Sequence, residues 1–297
     1  MTITTIDDLE AALRERLYVA DRGLATAIFL ALKLNKPLFL EGEAGVGKTE
    51  VAKVLSDLYS CNLIRLQCYE GLDVNHAVYE WNYSRQIMHI RLLEARGADM
   101  AHAEAELFGP EFLLARPLLQ AIQQSREKPP VLLVDEIDRS DEEFEAYLLE
   151  ILSDFQISIP EIGTIKAGQP PIVIVTSNRT REVHDALKRR CLYHWIDYPT
   201  FDKELEIVQA KVPEASARLA RQVTAFVQEL RQVDLYKVPG VAETLDWMLA
   251  LVALDSQALD QAVVEDTLGV ILKYRDDLEL VRGHKTAELI AQVEMVE

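Results

Sequence analysis

The chain has 297 residues, a formal net charge of −18 and a sequence pI of about 4.8. The length is enough for one large or two modest domains, and a hydrophobic fraction of 49% is ordinary for a globular protein. The acidic balance argues against a general grip on DNA or RNA, because phosphate binding needs clustered Lys and Arg.

Met1 to Glu10 shows neither a basic stretch nor an apolar core, so no signal peptide is expected. No apolar run approaches membrane-spanning length, so no membrane insertion is expected. Cys61, Cys68 and Cys191 have no metal-ligand spacing and suit a reducing cytoplasm, the expected location. Residues 6–34 read as two helices, with Leu9, Leu13 and Leu17 on one face and Ile28, Ala31 and Leu34 on the next.

Leu38 to Leu40 reads as a buried strand. It runs into Gly42-Glu43-Ala44-Gly45-Val46-Gly47-Lys48-Thr49, a glycine, four residues, then Gly-Lys-Thr. Glu50 and the helical spacing of Val51, Ala52, Val54, Leu55 and Leu58 follow, giving the strand–loop–helix context of a phosphate-binding loop. Glycines let the chain wrap so that amide N–H groups face phosphate oxygens, and the helix N-terminus adds partial positive charge. Lys48 is placed to meet the β- and γ-phosphates, and Thr49 to put its hydroxyl on Mg²⁺.

Cys61 to Leu66 reads as a second strand. Residues 71–128 are less regular. Leu92 to Leu107 is Ala- and Glu-rich and predicts a helix, as does Leu118 to Ser125, whereas Asp73 to Ile90 has no clean period. Val131 to Val134 then reads as a central strand ending in Asp135-Glu136. Ligands bind at the carboxyl ends of such strands. Asp135 would hold Mg²⁺ through water, and Glu136 would polarise an attacking water.

Ser140-Asp141-Glu142-Glu143 reads as a capping box opening a helix with Phe144, Tyr147, Leu148, Ile151, Leu152 and Phe155 on one stripe. Gln156 to Ile165 suggests a hairpin, Pro170 to Asn178 a fully buried strand ending in polar residues, Glu182 to Lys188 a short helix and Cys191 to Ile196 a further strand. From Phe201 only helical spacing appears, over 214–232, around Trp247 and over 260–274. The expected organisation is an α/β nucleotide domain over 1–199 and an all-α domain over 200–297, bounded near Tyr198-Pro199-Thr200.

An α/β nucleotide domain followed by a helical lid resembles the AAA+ ATPases. Asp135-Glu136-Ile137-Asp138-Arg139-Ser140 is similar to the signature of the MoxR group, and the hairpin after the next helix is similar to the insert of the helix-2-insert clade. Tyr69-Glu70-Gly71-Leu72-Asp73 and Arg190-Cys191-Leu192-Tyr193-His194-Trp195 resemble the CoxD-like branch, encoded beside carbon monoxide dehydrogenase genes. The resemblance implies an α/β P-loop core with a parallel sheet and an inserted hairpin, ATP and Mg²⁺ as cofactors, and self-association into a ring, expected to be a hexamer. It implies that Asn178, at the sensor 1 strand, orients the attacking water or contacts the γ-phosphate. It implies an arginine finger at Arg190, with Arg189 as the alternative in the same double Arg. It further implies remodelling of a client metalloenzyme with a von Willebrand A-domain adaptor. A nucleic-acid motor or a nucleotide-gated scaffold are the rival functions. One departure stands out: Val238-Pro239-Gly240-Val241-Ala242-Glu243-Thr244 has no arginine where AAA+ lids often carry one.

Overall fold

A computed structural model describes residues 3–95, 107–124 and 128–294. Five strands build the central sheet: β1 (Leu38–Gly42), β2 (Leu63–Gln67), β5 (Val131–Asp135), β8 (Ile172–Ser177) and β9 (Leu192–Ile196). Their order is β2-β5-β8-β1-β9, and β1 with β8, β5 with β8 and β2 with β5 pair in parallel. Every residue of β1 and β5 is buried, as their unbroken apolar runs require when both faces of a sheet are covered. β2 lies at the edge and alternates instead, with Ile64 and Leu66 inside and Arg65 exposed.

Contacts divide the chain into two compact units, one of Gly23–Glu41 and Thr49–Trp195, the other of Met1–Arg22, Gly42–Lys48 and Ile196–Glu297. In the first, Phe39, Leu132, Val134, Val173 and Val175 of the sheet pack with Leu118, Leu119 and Ile122 and with Phe144, Leu148, Ile151 and Leu152. In the second, the helices Phe201–Lys211, Ala217–Leu230, Val241–Ala253, Gln261–Ile271, Arg275–Val281 and His284–Glu294 enclose Phe226, Trp247, Met248 and Leu268. The Trp247 indole N–H is satisfied by the Thr267 hydroxyl at 2.8 Å, as a buried indole needs. Arg231 and Glu204, both nearly fully buried, pair at 2.6 Å, and Thr244 donates to the same carboxylate.

Several sequence expectations shift. The second strand starts at Leu63 rather than Cys61, because the Cys61 amide closes the preceding helix on Ser56 and the Cys61 carbonyl accepts the Ser56 hydroxyl. Leu17 and Leu34 do not join the core. Leu17 lies past the end of the helix Ile6–Arg14 with φ 56° and both side chains are exposed. The cap of the helix Glu142–Asp154 is Asp141, whose carboxylate accepts from the Phe144 amide at 2.9 Å. Ser140 is not the cap, since its hydroxyl turns back to the Ile137 carbonyl at 2.8 Å. Phe155 ends that helix in the left-handed region, φ 49°.

The segment without a clean period contains a helix, Val74–Ala77, a short antiparallel pair of β3 (Tyr79–Trp81) with β4 (Leu113–Ala115), and a helix, Tyr83–Ala95. Residues 96–106 of the helix expected over 92–107 lie outside the described residues, as does Ser125 at the end of the helix Pro117–Gln124. The expected hairpin is present as β6 (Gln156–Ile159) and β7 (Gly163–Lys166), with Ile157 and Ile159 buried and Ser158 facing Thr164 across the pair at 3.0 Å between hydroxyls.

Candidate nucleotide site

The phosphate loop belongs to the helical unit. Gly47 adopts φ +92°, a conformation that side-chain-bearing residues rarely take, and a Cβ on Gly42 would lie 2.1 Å from the Ile196 carbonyl oxygen. The Lys48 ammonium is buried and donates to the carbonyls of Gly42 at 2.8 Å and Glu43 at 2.6 Å. The positive charge is thus held inside the loop by the loop's own backbone. The stretch Val238–Thr244, which lacks an arginine, meets the same loop through its main chain. The Ala242 amide donates to the Gly45 carbonyl at 3.1 Å, and a Cβ on Gly240 would sit 2.6 Å from the Ala44 oxygen. Glu243 caps its own helix by accepting from the Gly240 amide at 2.9 Å. Val46 is buried, Glu43 and Ala44 are exposed, and Glu50 pairs with Lys53 at 3.0 Å.

The α/β unit carries the acidic groups at the carboxyl end of β5, beside the polar end of β8. Asp135 is buried and its carboxylate is fully engaged. One oxygen accepts from the hydroxyls of Thr49 at 3.0 Å and Thr176 at 2.6 Å. The other accepts from Arg65, at 3.0 Å from Nε and 2.5 Å from Nη2. Glu136 follows with φ 55° and ψ 51°, left-handed for a residue with a side chain. Such a conformation costs on the order of 1–3 kcal/mol and persists where its surroundings hold it. Here the Glu136 amide donates to the Thr176 hydroxyl at 3.0 Å. Its carboxylate accepts from Gln67 at 3.0 Å, from Arg139 at 3.0 Å and from the Asn178 side-chain amide at 3.3 Å. Asn178 therefore sits beside the acidic pair, as a residue at the end of the adjacent strand should.

Asp138 fixes the turn that presents Asn178. Its carboxylate is buried and accepts from the amides of Asn178 at 3.2 Å and Thr180 at 2.8 Å and from the Thr180 hydroxyl at 2.7 Å. Burial alone would raise the Asp138 pKa, but the hydrogen bonds from Thr180 and Asn178 outweigh it and hold the carboxyl below its ordinary value. Burial, reinforced by the nearby charges of Asp135, Asp138 and Glu136, pushes the Cys68 thiol up to about 12. That thiol stays protonated and inert at neutral pH.

Arg189 stays with its own helix end, whereas Arg190 also reaches the helix Glu142–Asp154. Arg190 donates to the Ser153 hydroxyl at 2.5 Å and the Ala186 carbonyl at 3.1 Å, and Arg189 pairs with Asp185 at 3.3 Å. Both are exposed. Sequence reasoning missed Arg65, Gln67 and the positioning role of Asp138. The available signal was the alternation in β2, where polar Arg65 and Gln67 interrupt apolar neighbours on a strand beside the acidic one.

The donor set suits Mg²⁺. The Thr49 hydroxyl and the Asp135 carboxylate are hard oxygen ligands placed side by side, and Mg²⁺ takes few protein ligands while keeping several waters. Among the described residues no group of three or more His, Cys, Asp or Glu side chains could hold a metal ion, so a closed all-protein metal cage is not built there.

The model of the AAA domain (dynein-related subfamily) matches residues 37–191. Two uncharacterised proteins from two Staphylococcus epidermidis strains are each 24% identical over 241 residues, covering 79% of this chain and 81% of theirs. Among solved structures, a RuvB variant of Thermotoga maritima is similar with a TM-score of 0.50 at 17% identity, covering 93% of this chain and 75% of its own. At that identity the likeness is one of fold. Among the described residues no helix is long and apolar enough to cross a membrane.

Proposed function

This chain belongs to the AAA domain family, dynein-related subfamily, and from that premise we propose that it is a Mg²⁺-dependent ATPase whose cycle remodels another protein. The observation that carries the ATPase reading is the Asp135–Glu136 pair in its setting: Thr49 bonded to Asp135, and Asn178 bonded to Glu136. The phosphate loop from Gly42 to Lys48 holds the nucleotide phosphates through backbone N–H groups, and Lys48 turns from its loop carbonyls to the β- and γ-phosphates. Thr49 directly and Asp135 through water would hold Mg²⁺, which would supply neutralisation of phosphate charge.

Glu136 accepts a proton from the attacking water, and Asn178 holds that carboxylate and the water in line. The left-handed backbone of Glu136 turns its side chain out of the strand direction, which a residue continuing β5 would not allow. Arg190, or Arg189 beside it, serves the γ-phosphate of a neighbouring subunit in a ring, taken to be a hexamer. Its exposure and its light tethering to Ser153 suit a group that works outside its own chain. Residues 1–199 form the nucleotide domain and residues 200–297 the lid in this reading.

By resemblance to the CoxD-like MoxR branch, the client is a metalloenzyme such as a molybdenum-containing carbon monoxide dehydrogenase, matured in the cytoplasm with a von Willebrand A-domain adaptor. That assignment rests on the signature stretches and on the hairpin of β6 and β7, which follows directly from the helix behind the acidic strand. The net charge of −18 speaks against a nucleic-acid motor. The test is a pull-down with Glu136→Gln protein and ATP. The variant should retain adaptor and client that the wild type releases. Equal recovery with and without ATP would remove the remodelling role.

A further inference from the structure

Asp135 has a countercharge of its own. A carboxylate offers about four lone-pair sites, and the structure fills all of them: the hydroxyls of Thr49 and Thr176 on one oxygen, and Nε and Nη2 of Arg65 on the other. The two hydroxyl donors are unremarkable for a buried acid. The guanidinium is different, because it brings a full positive charge to the carboxylate that the reading above gives to a cation. Its position is built rather than incidental. Arg65 lies on β2 two residues before Gln67, whose backbone is registered with Asp135, so the strand pairing itself aims the side chain at the end of β5. The guanidinium is also held from a second side, since Nη2 donates to the Gln67 side-chain oxygen at 2.5 Å. The Arg65 side chain is about half exposed while that of Asp135 is buried, so the arginine can swing toward water but the carboxylate cannot follow.

We propose that Arg65 is a built-in stand-in for the metal: it neutralises Asp135 when no Mg²⁺ is bound and opposes Mg²⁺ entry, so that it sets how much Mg²⁺ the site requires. The inference rests on the nucleotide reading above and concerns a positioning residue, not a catalytic one. Two like charges cannot share one carboxylate cheaply, so either the guanidinium leaves Asp135 or it stays and repels the ion. Both routes weaken Mg²⁺ binding relative to a site lacking the arginine. The contrary role, in which Arg65 merely orients Asp135 for the metal, has the opposite sign: removing it would weaken Mg²⁺ binding.

The experiment measures binding of fluorescent ADP to the full chain across a Mg²⁺ titration, with a parallel series in EDTA, for wild type, Arg65→Gln and Arg65→Lys. Arg65→Gln should reach half-maximal Mg²⁺-dependent enhancement at roughly tenfold less Mg²⁺, the size expected for one unit charge facing a divalent ion in well-screened surroundings. Arg65→Lys keeps the charge and should stay near the wild-type Mg²⁺ requirement. Thermal melting confirms that both variants are folded, with Arg65→Lys as the safer of the two. In EDTA, Arg65→Lys should bind as the wild type does, since the charge that offsets Asp135 is kept, and Arg65→Gln should bind no more tightly, so that a gain confined to the Mg²⁺ series belongs to the metal. An unchanged or higher Mg²⁺ requirement in Arg65→Gln would overturn the proposal while leaving the nucleotide reading intact. Absence of nucleotide binding in the wild type would overturn that reading, and this inference with it.

Discussion

Asp138 should prove to be among the most costly polar residues to alter. Asp138→Asn preserves shape but removes the charge from three hydrogen bonds and turns an amide NH₂ toward backbone or hydroxyl donors. Hydrogen bonds to a charged group contribute about 1.5–3 kcal/mol each, and a buried donor left without an acceptor costs about 1–3 kcal/mol. Part of that is recovered by the remaining amide oxygen, so a net loss of about 2–4 kcal/mol is expected. The pH dependence identifies the source. The Asp138 carboxyl is held below its ordinary value of 3.8, so it contributes stability that is complete above that value and is lost as pH falls through the lower folded-state value. Urea unfolding followed by circular dichroism at a series of pH values should therefore show a constant wild-type advantage from about pH 7 to pH 5, shrinking below about pH 4. A difference under about 0.5 kcal/mol at neutral pH, or one unchanged into the acid range, would refute the reasoning.

Other consequences are as specific. Lys48→Ala should weaken ATP binding by about tenfold or more, since it removes a charged donor to phosphate, and equilibrium titration with labelled nucleotide checks it. Arg190→Ala should bind ATP normally but lose turnover by roughly 10³-fold or more, and mixing it with a Lys48 variant should restore part of the activity; full activity in a demonstrably monomeric preparation would remove the finger role. Replacing Glu161-Ile162-Gly163 by a Gly-Ser turn should leave the buried Ile157 and Ile159 in place and nucleotide binding intact, yet abolish stimulation of ATP turnover by adaptor and client; unchanged stimulation would return the hairpin to a structural role. Cys68 and Cys191, both raised to about 12 chiefly by burial, should resist alkylation at pH 8 until denaturant is added, which mass spectrometry reads directly.

Much of this architecture was legible because it rests on local signals. The unbroken apolar run Val131 to Val134 ending in acids, the glycines before Lys48, and the switch to helical spacing from Phe201 each follow from chain-local chemistry, and all three appear in the structure. The hairpin was readable from β-type runs around Pro160 and Gly163. What escaped depends on partners distant in sequence. Ser140 and Asp141 are equally good caps on paper, and only the competing bond from Ser140 to Ile137 decides between them. Arg65 reads as a solvated residue of an edge strand until pairing with β5 brings it to Asp135, 70 residues away. The left-handed backbone of Glu136 carries no sequence mark, since neither glycine nor asparagine stands there. The helix Tyr83–Ala95 was hidden because its apolar residues Tyr83, Ile87, Met88 and Leu92 are exposed rather than packed on the core, so hydropathy did not mark an inner face.

The most direct test of the account is phosphate release from Mg²⁺-ATP by the purified chain and its Glu136→Gln variant, with ATP binding measured on the same samples. The account predicts turnover by the wild type and a loss of about 10²-fold or more in Glu136→Gln, with ATP binding retained, because the amide cannot accept a proton from water. Equal hydrolysis rates in the two proteins would contradict it.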